Sequence, residues 1–404
     1  MWKGSIIAII WNNKSIVEVF MLAQTVIDLV ESNYCFEDEQ AETWKSVKKE
    51  LLKCEGGRDD RSTECERIDR LLCRLGDPHL RLFNTHINAY LFNVVLGWEG
   101  ERLIHYDFDK NECNEVTAVN GVLVEKILEN KRNAYPCMNE SFVRKEILAD
   151  AKNCRGVFNA ESLELKYRDE DRAIVHIERK SIEDMKKLAQ NTGFKFTPIM
   201  SKRLDEDTVL LKFLTFGIHE LKKHMETIVS QIEGQVRNVV LDLRGNTGGF
   251  INEAESLVSA IAETDIEYDY YVRSRDEDKQ IKFVKSEQDS FFSGKRMCIL
   301  MDENTASSAE FVFIKGLRIS NPRIMLIGET TAGSSGQAKN FLIDNETVLL
   351  VTLRRYIDKE SNRELTSGIE PDHRIGSDKN VFDSNQDEKY ISWIKNNKAL
   401  VFNP

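Results

Sequence analysis

The chain has 404 residues, 41% hydrophobic and 30% charged, with a formal net charge of −11. That balance fits a soluble globular protein of roughly two or three domains. The acidity argues against a nucleic-acid partner, because phosphate binding needs a basic face. The eight cysteines fall at 35, 54, 65, 73, 113, 137, 154 and 298, with no Cys-x-x-Cys pair. They predict neither a zinc site nor a disulfide framework, but thiols in a reducing compartment, hence a cytoplasmic location. Near the N-terminus, Ser5 to Trp11 is apolar and follows Lys3. The run stops at Asn12-Asn13-Lys14, lacks a small-x-small cleavage site and is far short of the ~20 residues of a membrane span. Neither a cleaved signal nor a membrane span is expected.

Residues 1 to 75 read as a helical cap. Apolar residues recur at helical spacing from Ile16 to Val30, from Trp44 to Leu52 and from Ile68 to Leu75. The helices predicted are one ending near Tyr34, one over Glu39 to Cys54 and one over Glu64 to Leu75, with Asp59 to Thr63 as a loop. Gly76 and Pro78 end the third helix and place His79 at a helix-to-strand junction.

From 76 to 190 the pattern becomes short alternating runs. Strands are predicted at Tyr90 to Leu96, Arg102 to Tyr106, Glu115 to Val119, Leu163 to Tyr167 and Ala173 to Ile177, with a short helix at Val124 to Leu128. This is a small mixed-β module. From 191 to 404 strands alternate with helices: Thr208 to Phe213, Ile218 to Gln231, Asn238 to Leu243, Glu253 to Ala262, Met297 to Met301 and Ile324 to Ile327, then a hairpin-like run at Thr347 to Tyr356. Such alternation predicts an α/β core with ligands at the carboxyl ends of the strands.

Three loops leaving those strands should converge there. Arg244-Gly-Asn-Thr-Gly-Gly249 matches neither phosphate-binding fingerprint, but a Gly-Gly at a strand end supplies bare amides and close approach, as an oxyanion hole requires. The run Asp302 to Ser308 delivers a serine onto a helix N-terminus. Ser307-Ser308-Ala309-Glu310 also fits a Ser-x-x-Glu capping box, which needs no chemistry to explain it. A serine nucleophile needs a base, and of the seven histidines only His79 sits in a rigid Gly-Asp-Pro-His setting.

Leu75-Gly-Asp-Pro-His79, Val119-Asn-Gly121, Leu241 to Gly249, Asn304-Thr-Ala-Ser-Ser-Ala-Glu310, Gly328-Glu-Thr-Thr-Ala-Gly333 and Gly368-Ile-Glu-Pro-Asp372 follow one another in order. The chain resembles, from about residue 30 to 380, the tail-specific or C-terminal-processing serine peptidases. The resemblance implies a crotonase/ClpP-like βαβ core, a helical N-terminal cap and a PDZ-like mixed-β module that grips extended peptides by strand addition. It implies Ser307 as nucleophile, with the amides of Gly249 and Ser308 as the oxyanion hole. Gly248, Thr331 and Gly333 would line the substrate. The family branch with a Ser-Lys dyad has lysine where this chain has Ser334. The chain looks instead like the tricorn and retinoid-binding-protein branch, whose histidine maps onto His79. That branch has a serine before the histidine and a glutamate near the last motif; here those positions hold Pro78 and Leu365, and the adjacent Glu364 supplies the carboxylate after a one-residue shift. Without it the site is a Ser-His dyad.

The expected activity is a serine endopeptidase acting on peptides or unfolded protein segments through an acyl-enzyme, with no metal and no cofactor, in a monomer or a homo-oligomer. The alternatives are a non-catalytic peptide or ligand binder on the same fold and a crotonase-like acyl-CoA enzyme, which would act without a covalent intermediate.

Overall fold

The computed structural model describes residues 22–402, apart from 37, 54–60, 85–89, 92–93, 108–111, 153–154, 170, 177, 181–196 (save Asp184 and Lys187), 233–235, 276–279, 288–289, 335, 366 and 376–385. The apolar run at Ser5 to Trp11 and the first turns predicted from Ile16 lie outside the described residues.

The centre is a six-stranded sheet in the order Ile199–Arg203, Thr208–Phe213, Asn238–Asp242, Arg296–Met301, Met325–Gly328, His373–Arg374. The first pair is antiparallel and the rest are parallel. Asn238–Asp242 is buried at every position. Alternation sends Val239 and Leu241 into a core shared with Leu221, Leu257 and Phe313, while Val240 meets Tyr390 and Ile394 on the other face. A strand covered on both faces has no polar side to show, which is why its sequence reads as one apolar run.

A second sheet packs beside the first in the order Arg81–Asn84, Thr347–Asp358, Ile266–Ser274, Gln280–Val284, with Gln337–Leu342 also paired to the long strand Thr347–Asp358. Tyr268, Tyr270 and Tyr356 of this sheet enter the main core. The strand after His79 therefore pairs with Thr347 to Leu350 and not with the mixed-β module. Leu80 and Leu82 pack with Leu349, Val351 and the helices Leu22–Asn33, Asp38–Leu51 and Arg61–Leu72. Burial of those two leucines ties His79 to the core and the helical cap. The third cap helix begins at Arg61, inside the stretch expected to be a loop.

The mixed-β module is the antiparallel sheet Val95–Glu99, Arg102–Asp107, Glu112–Val119, Ser162–Tyr167, Arg172–His176. Two helices, Val124–Ala134 and Glu140–Lys152, cover its apolar face through Ile127, Val143 and Ile147. The second of these, the strand Ile266–Ser274 and the closing helices Gln386–Asn396 and Lys398–Phe402 were not anticipated. Among the described residues no helix is long and apolar enough to cross a membrane.

Candidate active site

Three of the parallel strands end side by side, and the loops that leave them meet as expected. Asn246 sews two of them together. It is fully buried, donates to the Phe213 carbonyl (3.1 Å), accepts from the Gly248 N–H (2.9 Å), and its own carbonyl accepts from the Ala306 N–H (3.0 Å). Gly248, at φ +88°, lies directly against the serine. A Cβ there would meet Ser307 Cβ at 2.9 Å and the Ala306 carbonyl at 2.7 Å. Gly249, at φ +146°, is pressed on Phe216–Gly217, where a Cβ would fall 2.1 Å from the Gly217 nitrogen. Only glycine fits either position.

Ser307 has φ 57°, a left-handed conformation rare for a residue with a side chain. The turn leaves Ser307 half-buried between the buried Ala306 and Ser308. Half of the anticipated capping box forms: Glu310 Oε2 accepts from the Ser307 N–H at 2.8 Å. The hydroxyl half does not, because the Glu310 N–H goes to the Ser307 carbonyl and no side chain caps the helix. The Ser307 hydroxyl is left for other chemistry. After Ser308 the chain enters a π-helix, Ala309–Ile314, buried throughout. Such wide turns are rare and cluster at functional sites. Tyr268 and Tyr270 hydroxyls donate to the Val312 and Phe311 carbonyls at 2.8 and 2.9 Å.

Glu310 is the hub of the loop cluster. Besides Ser307 it accepts from the Gly333 N–H (2.8 Å), the Ser334 N–H (3.1 Å) and the Thr331 hydroxyl. Burial raises its carboxyl above the ordinary value against the pull of those four donors. One carboxylate oxygen thus holds the backbones of Ser307 and Ser334 together. Ser334 Oγ in turn lies 3.5 Å from His79 Nε2. The base candidate and the nucleophile candidate reach the same corner from segments far apart in the chain.

The N–H groups of Gly249 and Ser308 donate to no acceptor among the described residues. Both belong to residues whose other polar atoms are tied down, since the Ser308 hydroxyl donates to the Gly249 carbonyl at 3.2 Å. Two of the expected substrate contacts have other duties. Thr331 is 6% exposed, and its hydroxyl donates to Glu310 and accepts from the Ile369 N–H at 2.6 Å. The Gly333 N–H is committed to Glu310. These residues build the wall behind the site, and Gly248 makes room for Ser307; none of the three offers a polar group to a ligand through these atoms.

The carboxylate nearest the His79 ring was missed in the sequence. Asp77 Oδ1 accepts the His79 backbone N–H at 2.8 Å and lies 3.9 Å from Nδ1. Its other oxygen accepts from Tyr34 (2.9 Å) and Arg355 (2.7 Å). Burial pushes the Asp77 carboxyl up, but the charges of Arg355 and His79 and the bonds it accepts outweigh that and hold it below the ordinary value. Glu364 pairs with Arg355 at 2.6 Å, so it joins the network through that guanidinium. An acid two residues before the base, in a turn closed by its own side chain, was the available signal.

Residues 207–375 match the model of peptidase family S41. A "Probable CtpA-like serine protease" of Staphylococcus haemolyticus (strain JCSC1435) is 27% identical over 168 residues, which is 41% of this chain and 32% of that relative. The match thus spans about a third of the relative's length. Among solved structures, mature CPAF complexed with lactacystin aligns with TM-score 0.68 at 14% identity, covering 94% of this chain and 98% of that one. The photosystem II D1 C-terminal processing protease aligns with TM-score 0.53 at 13% identity, covering 88% and 92%. The matched stretch contains the glycine loop, Ser307, Glu310 and Arg355. His79 and Asp77 lie in the chain before that stretch.

Proposed function

We propose that this chain is a serine peptidase in which Ser307 attacks the scissile carbonyl and His79 is the general base. The observation that carries the reading is the geometry of Ser307: a left-handed turn that leaves the hydroxyl uncapped beside two N–H groups with no acceptor among the described residues. In the proposed reaction His79 Nε2 takes the hydroxyl proton as Oγ bonds to the carbonyl carbon. The Gly249 and Ser308 amides stabilise the oxyanion. The imidazolium then gives its proton to the leaving amine, and water, activated by the same ring, hydrolyses the acyl-enzyme. The Nε2 atom lies 3.5 Å from Ser334 Oγ, and the Ser334 backbone shares a carboxylate oxygen with Ser307, which supports a base and a nucleophile held in one loop cluster.

The substrate class that fits is an extended peptide or an unfolded protein segment. We read the module at 95–176 as PDZ-like and the core as crotonase/ClpP-like, with no nucleic-acid partner and no metal in the mechanism. A fluorophosphonate probe tests the reading. Wild type should be labelled at Ser307, and Ser307→Ala and His79→Ala should not. An unlabelled wild type, or undiminished labelling of Ser307→Ala, would favour a non-catalytic binder on the same fold. Turnover without any acyl-enzyme would favour acyl-CoA chemistry.

A further inference from the structure

The network under His79 has more structure than a dyad needs. Asp77 is 3% exposed and Arg355 is 3% exposed. The Arg355 guanidinium is used on every side: Nε donates to the Cys35 carbonyl (2.8 Å), Nη1 to Glu364 (2.6 Å), and Nη2 to the Tyr34 hydroxyl (2.6 Å) and to Asp77 (2.7 Å). Tyr34, at the end of the first described cap helix, donates its own proton to Asp77. A buried carboxylate, Asp77, and a half-buried one, Glu364, thus flank one buried cation. A pair this dry is costly unless its groups are hydrogen-bonded, and here every guanidinium nitrogen has an acceptor. If stability were its only use, apolar residues would serve as well. Its position beneath the His79 ring suggests another use.

We propose that Asp77, clamped by Arg355, is the positioning acid of His79, and that Glu364 acts on the ring by holding Arg355. This rests on the serine peptidase reading. Asp77 Oδ1 is already fixed to the His79 backbone N–H, which keeps the carboxylate beside the ring. The 3.9 Å from Oδ1 to Nδ1 closes to a hydrogen bond with a small ring rotation, which would fix the proton on Nδ1 and leave Nε2 as the acceptor. The charged and polar groups facing the ring unit are Asp77 in its own segment, Arg355 and Glu364 around the long strand, Tyr34 in the cap and the Ser334 hydroxyl opposite. Arg355 keeps Asp77 ionised; Asp77 stabilises the imidazolium formed during attack.

The experiment is the rate of fluorophosphonate labelling across the histidine titration range. Asp77→Asn should be labelled slower by on the order of 100-fold. Its acid limb should move to lower pH by roughly one unit, because an imidazolium loses a neighbouring negative charge. A merely structural aspartate would leave that limb in place. Arg355→Lys keeps the buried charge without the planar fork; it should slow labelling while leaving affinity for a non-reactive peptide unchanged, and Arg355→Gln should slow it further. Glu364→Gln should cost less than Asp77→Asn. Wild-type rate and an unmoved limb in Asp77→Asn overturn the proposal, as does a larger loss in Glu364→Gln. Should Asp77→Asn not fold, Arg355→Lys decides: labelling at the wild-type rate overturns the proposal. Labelling of wild type but not of Ser307→Ala keeps the peptidase reading standing through any of these failures.

Discussion

Ser307 is held in a conformation that costs of order 1–3 kcal/mol, and the cost is met by its surroundings. Glu310 grips its N–H, and Gly248 lies against its Cβ. Gly248→Ala should therefore destabilise the fold by about 1–3 kcal/mol in urea denaturation and abolish labelling, since the added methyl and Ser307 cannot share the space. Asp77 gives a pH prediction at the same scale. Its folded carboxyl titrates below its unfolded one, so its contribution to stability is complete above the ordinary aspartate value and is lost as pH falls through the folded value. Acid titration of stability should thus be steeper for wild type than for Asp77→Asn, measured as the urea midpoint against pH. Equal slopes would mean that Asp77 is not ionised in the folded protein.

At the scale of elements, the π-helix Ala309–Ile314 lies inside the core and depends on the neighbouring sheet. A widened turn leaves carbonyls without their usual partners, and Tyr268 and Tyr270 of strand Ile266–Ser274 donate to two of them. Tyr270→Phe should cost about 1–2 kcal/mol of unfolding free energy, because the Phe311 carbonyl is left buried with one donor fewer. The double variant with Tyr268→Phe should lose more than the sum of the singles, since both act on one segment. A neutral Tyr270→Phe would show that the π-helix holds itself. The helix start was legible in the sequence because it is local. Its π character was not, because it depends on tyrosines some forty residues upstream.

Across the whole molecule, Arg81 joins three parts. It pairs with Asp69 of the helix Arg61–Leu72 at 2.9 Å and with Glu146 of the module helix Glu140–Lys152 at 3.1 Å, and its guanidinium lies 4.9 Å from the Phe142 ring. It sits two residues beyond His79. Arg81→Ala should cost about 3–5 kcal/mol by chemical denaturation, because Asp69 is left buried without its cation. Hydrogen exchange should speed in both the cap helix and the module helix; protection lost in only one of them would show that Arg81 does not couple them. The division expected at residue 76 overlooked this, because a chain read in order cannot show that Arg81 to Asn84 pairs with Thr347 to Leu350.

Local features are legible in the chain read alone. These are the apolar strand Asn238–Asp242, the glycine pair at 248 and 249, the serine at a strand-end turn, and the histidine behind Gly-Asp-Pro. Each is a matter of a few adjacent residues and their dihedral angles, so composition and spacing suffice to show it. Only the tertiary structure decided which charges meet in the dry interior. Glu310 read as a cap residue and ties two loops together; Thr331 read as a substrate contact and its hydroxyl is bonded to Glu310. The carboxylate beside His79 is Asp77, and Glu364 connects to it through Arg355. A buried ion pair forms wherever folding brings two chain segments together, at separations such as the 278 residues between Asp77 and Arg355, and no periodicity in the chain records that meeting.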